Sequence, residues 1–308
     1  MWICLAISAE PETLLVNLLP FATSQWIVVR LLFIDLDGTL VHRTDEVSPR
    51  TLSALSQAQD AGCTVVICTG RSRFDVEPVA AQWAGHGYAI TNNGAVISEW
   101  QTGKVLHKVA IPRATVKRAA HLAHEHGFSL LCIGADEASA PQRVFTDRKF
   151  PLPQNFLDEH SHLLTHVSDL RDGVDHDLVT LLIFGGNGET EMVYHRWLED
   201  LGHMVSVFHA PFSRLDTWCS YVTPAEANKA IAAQRVAEML NISREDTLAI
   251  GDHLNDLELL LWCGIGVAMG DGHSLAKAKA DHVTGTFAED GAAAAIERFV
   301  LAHRKSSV

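Results

Sequence analysis

Short apolar runs, each stopping at polar groups, constrain this chain more than any other feature. Trp26 to Ile34 is almost unbroken in hydrophobic side chains and stops at Asp35. Thr64-Val-Val-Ile-Cys68 stops at Thr69, Tyr88-Ala-Ile90 runs into Thr91-Asn-Asn-Gly94, and Thr247-Leu-Ala-Ile250 stops at Gly251-Asp252. A strand covered by helices on both faces of a parallel sheet reads this way. Helix signals fill the intervals. Ser48-Pro49 opens one, with Ser as cap and Pro at the first helical position, and Gly62 closes it. Ala227 to Leu240, Asn255 to Trp262, His273 to Ala280 and Asp290 to Leu301 read as helices, with a short strand at Gly264 to Ala268. The alternation predicts an α/β fold with a doubly wound parallel sheet.

The length of 308 residues suits about two domains. Residues 112–212 break the rhythm: they are richer in His and Pro, have longer turns such as Pro151-Leu-Pro153, and show an isolated strand at Leu178 to Phe184. They read as an α+β domain inserted into the first, which splits the core into 26–111 and 213–308. Residues 1–25 read as a leader of no assigned role. It lacks a basic n-region and carries Glu10, Glu12 and Pro20, so a secretory signal fits poorly.

The formal charge of −13 argues against nucleic acid, whose binding depends on Lys and Arg neutralising phosphates. No stretch reaches the roughly 18 apolar residues of a membrane helix. The six cysteines, at 4, 63, 68, 132, 219 and 263, form no Cys-x-x-Cys pair and read as reduced thiols of a cytoplasmic protein.

Three strand tips carry the chemistry: Asp35-Leu-Asp37-Gly-Thr39, Thr69-Gly70-Arg71, and Asp252-His-Leu-Asn255-Asp256. Ligands of open α/β sheets bind where the carboxyl ends of the strands meet, so the three should converge. Four carboxylates together cannot all stay ionised in a dry cleft unless a cation neutralises them, and such oxygen ligands favour Mg²⁺. Asp35 and Asp37 stand two apart, so one can attack as a nucleophile while the other handles a proton. Gly38 lets the backbone turn tightly and offer N–H groups to an anion.

Asp-Leu-Asp-Gly-Thr, Thr-Gly-Arg, a lysine and Gly-Asp-x-x-Asn-Asp, in that order, resemble the haloacid dehalogenase-like hydrolases. Asn93-Gly94-Ala95-Val-Ile97 and Gly266-Val-Ala-Met-Gly270 look like their Cof-type phosphatase branch, whose type IIB cap is inserted after the third core strand. The resemblance covers about Arg30 to Phe299, with the cap matched by size and position only. It implies that Asp35 forms a phospho-aspartyl intermediate and that Asp37 protonates the leaving oxygen and later activates water. It further implies that Thr69 and Gly70 hold the phosphoryl group, with Asn255 beside it and Lys229 balancing charge. Mg²⁺ would be held by the Asp35 carboxylate, the Asp37 main-chain carbonyl and Asp252, with Asp256 and Asn255 in close support.

The chain departs from the branch pattern at Ala230 and Glu226, each where Gly is usual, at Asp271-Gly272, and at Tyr221, where a glutamate is common. Arg71 reads as a structural partner of a carboxylate, and Asn93 as part of a turn or a ligand contact. His121, His124 and His126 stand at helical spacing without a local fourth metal ligand. Gly185-Gly-Asn-Gly188 reads as a strand-to-helix turn, and Arg143, Arg148 and Lys149 as solvated charge. The function expected is an Mg²⁺-dependent phosphatase for a small phosphorylated metabolite, a sugar phosphate or a nucleotide-related phosphate. A phosphomutase using the same aspartyl phosphate, or a phosphometabolite-binding protein without turnover, are the alternatives.

Overall fold

A computed structural model describes residues 28–302 apart from 43, 84, 136–142, 148–150 and 213–214. The leader 1–25, Trp26, and the basic pair Arg148 and Lys149 lie outside the described residues. The chain begins β1 (Leu31–Ile34), α1 (Pro49–Asp60), β2 (Thr64–Cys68), α2 (Arg73–Ala80), β3 (Gly87–Thr91), β4 (Val96–Glu99) and β5 (Val105–Lys108). Then follow α3 (Arg113–Glu125), β6 (Leu131–Gly134), β7 (Val144–Thr146), α4 (Gln154–His160), β8 (Leu164–His166), β9 (Leu178–Gly185), α5 (Asn187–Asp200), β10 (Val205–Phe212) and β11 (Thr217–Pro224). The remainder is α6 (Lys229–Leu240), β12 (Thr247–Gly251), α7 (Leu257–Trp262), β13 (Ile265–Ala268), α8 (Ser274–Lys279), β14 (His282–Val283) and α9 (Gly291–Ile296).

Eight strands form the first sheet in the order β14-β13-β12-β1-β2-β3-β4-β5. Pairing is parallel from β14 to β3 and antiparallel for β3-β4 and β4-β5. The fold is thus α/β with a doubly wound parallel core. Alternate residues of the apolar strands face two helical layers. Leu32, Ile34, Val65 and Ile67 pack with α1, α2 and α9, whereas Leu31, Phe33, Val66 and Cys68 pack with α6, α7 and α8. Among the described residues of the first run, strand begins at Leu31, although the Arg30 N–H already donates to Asp246 O at 2.8 Å. Strand order departs from β1 in one direction through β2 and in the other through β12, and this switch point is where a ligand cleft opens.

The second sheet has the order β10-β11-β9-β6-β7-β8. The strand expected to be isolated is instead central: β9 pairs antiparallel with β11 on one side and β6 on the other. The core boundary expected at 212 also moves. β11 pairs with β10 along its whole length, from Phe212 opposite Thr217 to Val205 opposite Pro224, so this unit continues to Pro224. One face of the sheet packs on α3 and α5 through Cys132, Leu181, Ile183, Val193, Trp197 and Val222. The other meets the first sheet, where Asn92 Nδ2 donates to Thr180 Oγ1 at 3.1 Å. Gly185 ends β9 and Asn187 begins α5, which makes the glycine-rich stretch a strand-to-helix turn.

Candidate active site

Parallel pairing of β1 with β12 sets Ile34 opposite Ile250, so Asp35 and Asp252 leave neighbouring strands close together. After β1 the chain folds back at once, with the Gly38 N–H donating to Val41 O at 2.8 Å and the Val41 N–H to Leu36 O at 2.9 Å. Gly38 has φ +82°, and a Cβ there would stand 2.4 Å from Asp252 Oδ2. Only glycine satisfies both the backbone and the approach of that carboxylate.

Lys229 is the first residue of α6, whose start is fixed by Asn228. The Asn228 side chain accepts from the N–H groups of Ala230 at 2.7 Å and Ile231 at 3.2 Å. Gly94, at φ +103°, lets the Asn92–Gly94 turn press against this cap, since a Cβ would lie 2.4 Å from Asn228 O. Lys229 is 2 % exposed. Its Nζ donates at 2.6 Å to Asp35 Oδ1 and at 2.6 Å to Asp256 Oδ1. The other Asp256 oxygen accepts from the N–H groups of Asp252 and His253, both at 3.1 Å. Asp256 thus ties the lysine to the tip of β12.

Asp35, Asp252 and Asp256 offer ligand atoms all within 4.8 Å of one another. The fourth expected member is absent from this group. The Asp37 carboxylate is half exposed and turned to Arg71, whose Nε and Nη2 donate to it at 2.9 and 2.6 Å, while Nη1 reaches Asp45 at 2.7 Å. A guanidinium offers a fork that matches a carboxylate, so the bidentate pair outcompetes a fourth like charge in the cluster. Arg71 accordingly has a carboxylate partner, but one at the rim. Asp45 was not foreseen, because nothing in its sequence surroundings ties it to Arg71.

The remaining expected residues surround this group. Thr69 is fully buried, and its Oγ1 accepts from the Arg71 N–H at 3.0 Å. Gly70 runs beside Asn93, whose Oδ1 would stand 3.0 Å from a Cβ at that position. Asn255 donates through Nδ2 to Asn93 Oδ1 at 3.4 Å. Asn93 also lies beside the Tyr221 hydroxyl, a contact from the second sheet that β11's position beyond the expected boundary had hidden. Asp271, one of the departures from the branch pattern, accepts from the Phe287 N–H, and its charge adds to those that raise Asp252. The three helical histidines do not act together. His121 pairs with Glu125, His126 bonds Leu122 O, and His124 groups with Asp147 and Asp169 in the second unit.

Burial and the nearby Asp256 and Asp252 hold the Asp35 carboxyl well above the usual range, against the pull of Lys229. Burial and Asp256 likewise push Asp252 from 3.8 up to about 7. For Lys229, burial works against the charge, but Asp256 and Asp35 outweigh it and hold the ammonium protonated. One cation therefore does not neutralise three carboxylates. An acid whose pKa is raised on folding stabilises the fold below its unfolded value, and that contribution is lost as pH climbs through the folded value. In metal-free protein the melting temperature, measured relative to Asp252→Asn, should accordingly fall between pH 4 and pH 8. Added Mg²⁺ should raise the wild-type melting temperature more at pH 8 than at pH 5 and do little for the variant, as differential scanning calorimetry would read directly.

A family model described as haloacid dehalogenase-like hydrolase matches residues 32–296. The chain belongs to the haloacid dehalogenase-like hydrolases, in their Cof-type branch of phosphatases. It is 27% identical over 276 residues to 5-amino-6-(5-phospho-D-ribitylamino)uracil phosphatase YcsE of Bacillus subtilis, covering 89% of this chain and 96% of that protein. To the HMP-PP phosphatase of Serratia proteamaculans it is 28% identical over 254 residues, covering 79% and 84% respectively. Among solved structures, a haloacid dehalogenase-like hydrolase from Bacteroides thetaiotaomicron superposes with a TM-score of 0.74 at 26% identity, covering 88% of this chain and 99% of that one.

Proposed function

We propose that this protein is an Mg²⁺-dependent phosphatase of small phosphorylated metabolites, working through a phospho-aspartate on Asp35. The observation that carries the reading is the buried lysine shared by Asp35 and Asp256 beside Asp252, at the switch point of the parallel sheet. Two of its curated relatives are named as phosphatases, one of a ribitylaminouracil phosphate and one of HMP-PP.

The acidic group suits a divalent cation. Asp252 Oδ1 is buried without a hydrogen-bond partner, and both Asp256 oxygens are already engaged. Asp35 and Asp252, with the Asp37 main-chain carbonyl, would hold the ion, and Asp256 would support them by fixing Lys229 and the β12 tip. Bound there, Mg²⁺ supplies the positive charge that keeps Asp35 ionised and screens a phosphoryl group from it.

The chain's own groups divide the remaining work. An Asp35 oxygen attacks phosphorus, the bond to the leaving oxygen breaks, and Asp37 gives that oxygen a proton. Asp37 then takes a proton from a water that attacks the aspartyl phosphate, which frees inorganic phosphate and restores Asp35. Lys229, Thr69 and Asn255 hold the phosphoryl oxygens, and Gly70 leaves room for them. In the structure Arg71 holds the Asp37 carboxylate at the rim, and Asp37 leaves that ion pair to carry the proton. In this reading the eight-stranded unit is the catalytic core, and the six-stranded unit, from about residue 112 to Pro224, is a cap that excludes water and selects the substrate. The buried thiols suit the reducing cytoplasm.

Phosphate release from a panel of phosphate monoesters, with Mg²⁺ and with a chelator, tests the function. Mg²⁺-dependent release is expected. Isomerised esters without free phosphate would indicate a mutase, and binding without any chemical change would indicate a non-catalytic protein.

A further inference from the structure

The cap face above the core is apolar and aromatic. Sheet register places Phe208 opposite Tyr221, Tyr221 opposite Leu182, and Leu182 opposite Leu131, so these side chains share one face. Two residues further along lie Cys219 and Phe184, again opposite one another. Phe208 and Tyr221 stack at 4.9 Å with planes 18° apart, and Phe184 meets Phe212 edge-on at 5.2 Å. This is the face that meets the core: the Thr180 hydroxyl on it accepts from Asn92 Nδ2. Phe74 of α2, a few residues after the Thr69–Arg71 loop, packs into the same cluster. Tyr221, Phe208, Phe212, Leu182 and Phe74 all remain partly exposed.

The described residues on this face of β6, β9, β10 and β11 include no Asp, Glu, Lys or Arg. A sugar's hydroxyl groups, stripped of water here, would need partners. This face offers few hydroxyls for them, and one of these, Thr180 Oγ1, already accepts from Asn92 Nδ2. A flat ring makes no such demand and gains from stacking on aromatic side chains.

We propose that the leaving portion of the substrate carries an aromatic or heteroaromatic ring, which this cap face binds by stacking, with Tyr221 and Phe208 as specificity-determining residues. The inference rests on the phosphatase reading of the same cleft and narrows it away from plain sugar phosphates.

Two matched pairs differing in the ring test it: uridine 5′-monophosphate against ribose 5-phosphate, and flavin mononucleotide against ribitol 5-phosphate. In each pair kcat/KM for phosphate release should favour the ring by at least about tenfold. Phe208→Leu, which keeps an apolar side chain but removes the ring, should shrink that ratio about three- to tenfold, mainly through KM. The same four esters titrated calorimetrically into Asp35→Asn protein with Mg²⁺ separate this inference from the catalytic one. Tighter binding of the ring member supports it even if no ester is hydrolysed. Equal or tighter binding of ribose 5-phosphate and ribitol 5-phosphate would overturn it, as would a Phe208→Leu ratio equal to wild type.

Discussion

Lys229→Met should cost the protein about 3–5 kcal/mol of stability and nearly all its activity. The lysine is 2 % exposed and holds two carboxylates at 2.6 Å each, so its removal strands Asp35 and Asp256 without a counter-charge. Both would then ionise only at great expense in a buried site, and the fold would answer by taking up protons or loosening around β12. A fall of the order of 10 °C in melting temperature follows for a chain of this size. Phosphate release should drop by at least about a hundredfold, because charge on the phosphoryl group and the orientation of Asp35 are lost together. Calorimetry beside steady-state kinetics reads both. A variant as stable as wild type would show that the ion pairs contribute little and that the site tolerates uncompensated acid.

Asp35→Asn separates catalysis from stability. The amide oxygen can still accept from Lys229, so the packing survives, but an amide cannot form the acyl phosphate. Phosphate release should therefore fall by at least about a thousandfold. Stability should move the other way in metal-free protein at pH 8. Burial and the two neighbouring acids hold the Asp35 pKa high, so its ionised form opposes folding above the usual carboxylate range, and the substitution removes that opposition. With Mg²⁺ present the order should reverse, since the wild type gains more from the ion than the variant does. Such opposed effects are expected where a site is assembled against the preferences of its own charges.

The eight-stranded sheet and most of the acidic group at its strand tips were legible in the sequence because each is local. An apolar run followed directly by Asp35, Thr69 or Asp252 states both a buried parallel strand and the residue at its tip, and parallel strands bring their tips together. The six-stranded unit was less legible. β6, β7 and β8 have only three or four residues each, and β9 looks isolated because its partners β6 and β11 lie far away in the chain. β10 carries His209 and Pro211, which blur its alternation, so the sequence pattern ends the unit at 212, before its last strand. Asp37 shows a different limit. Two residues from Asp35, it faces the rim because Arg71, on another strand tip, outbids the acidic group for its carboxylate. Spacing places a side chain near a site, whereas its partners decide where it points.

Mass spectrometry of acid-quenched enzyme, sampled in the first turnovers with Mg²⁺ and a hydrolysed ester, tests the central claim most directly. A phosphoryl group should appear on the peptide containing Asp35, borne by Asp35 itself, and should disappear as substrate is exhausted. Phosphate released at full rate while Asp35 stays unmodified at every time, or a phosphoryl group found on another residue, would contradict the account.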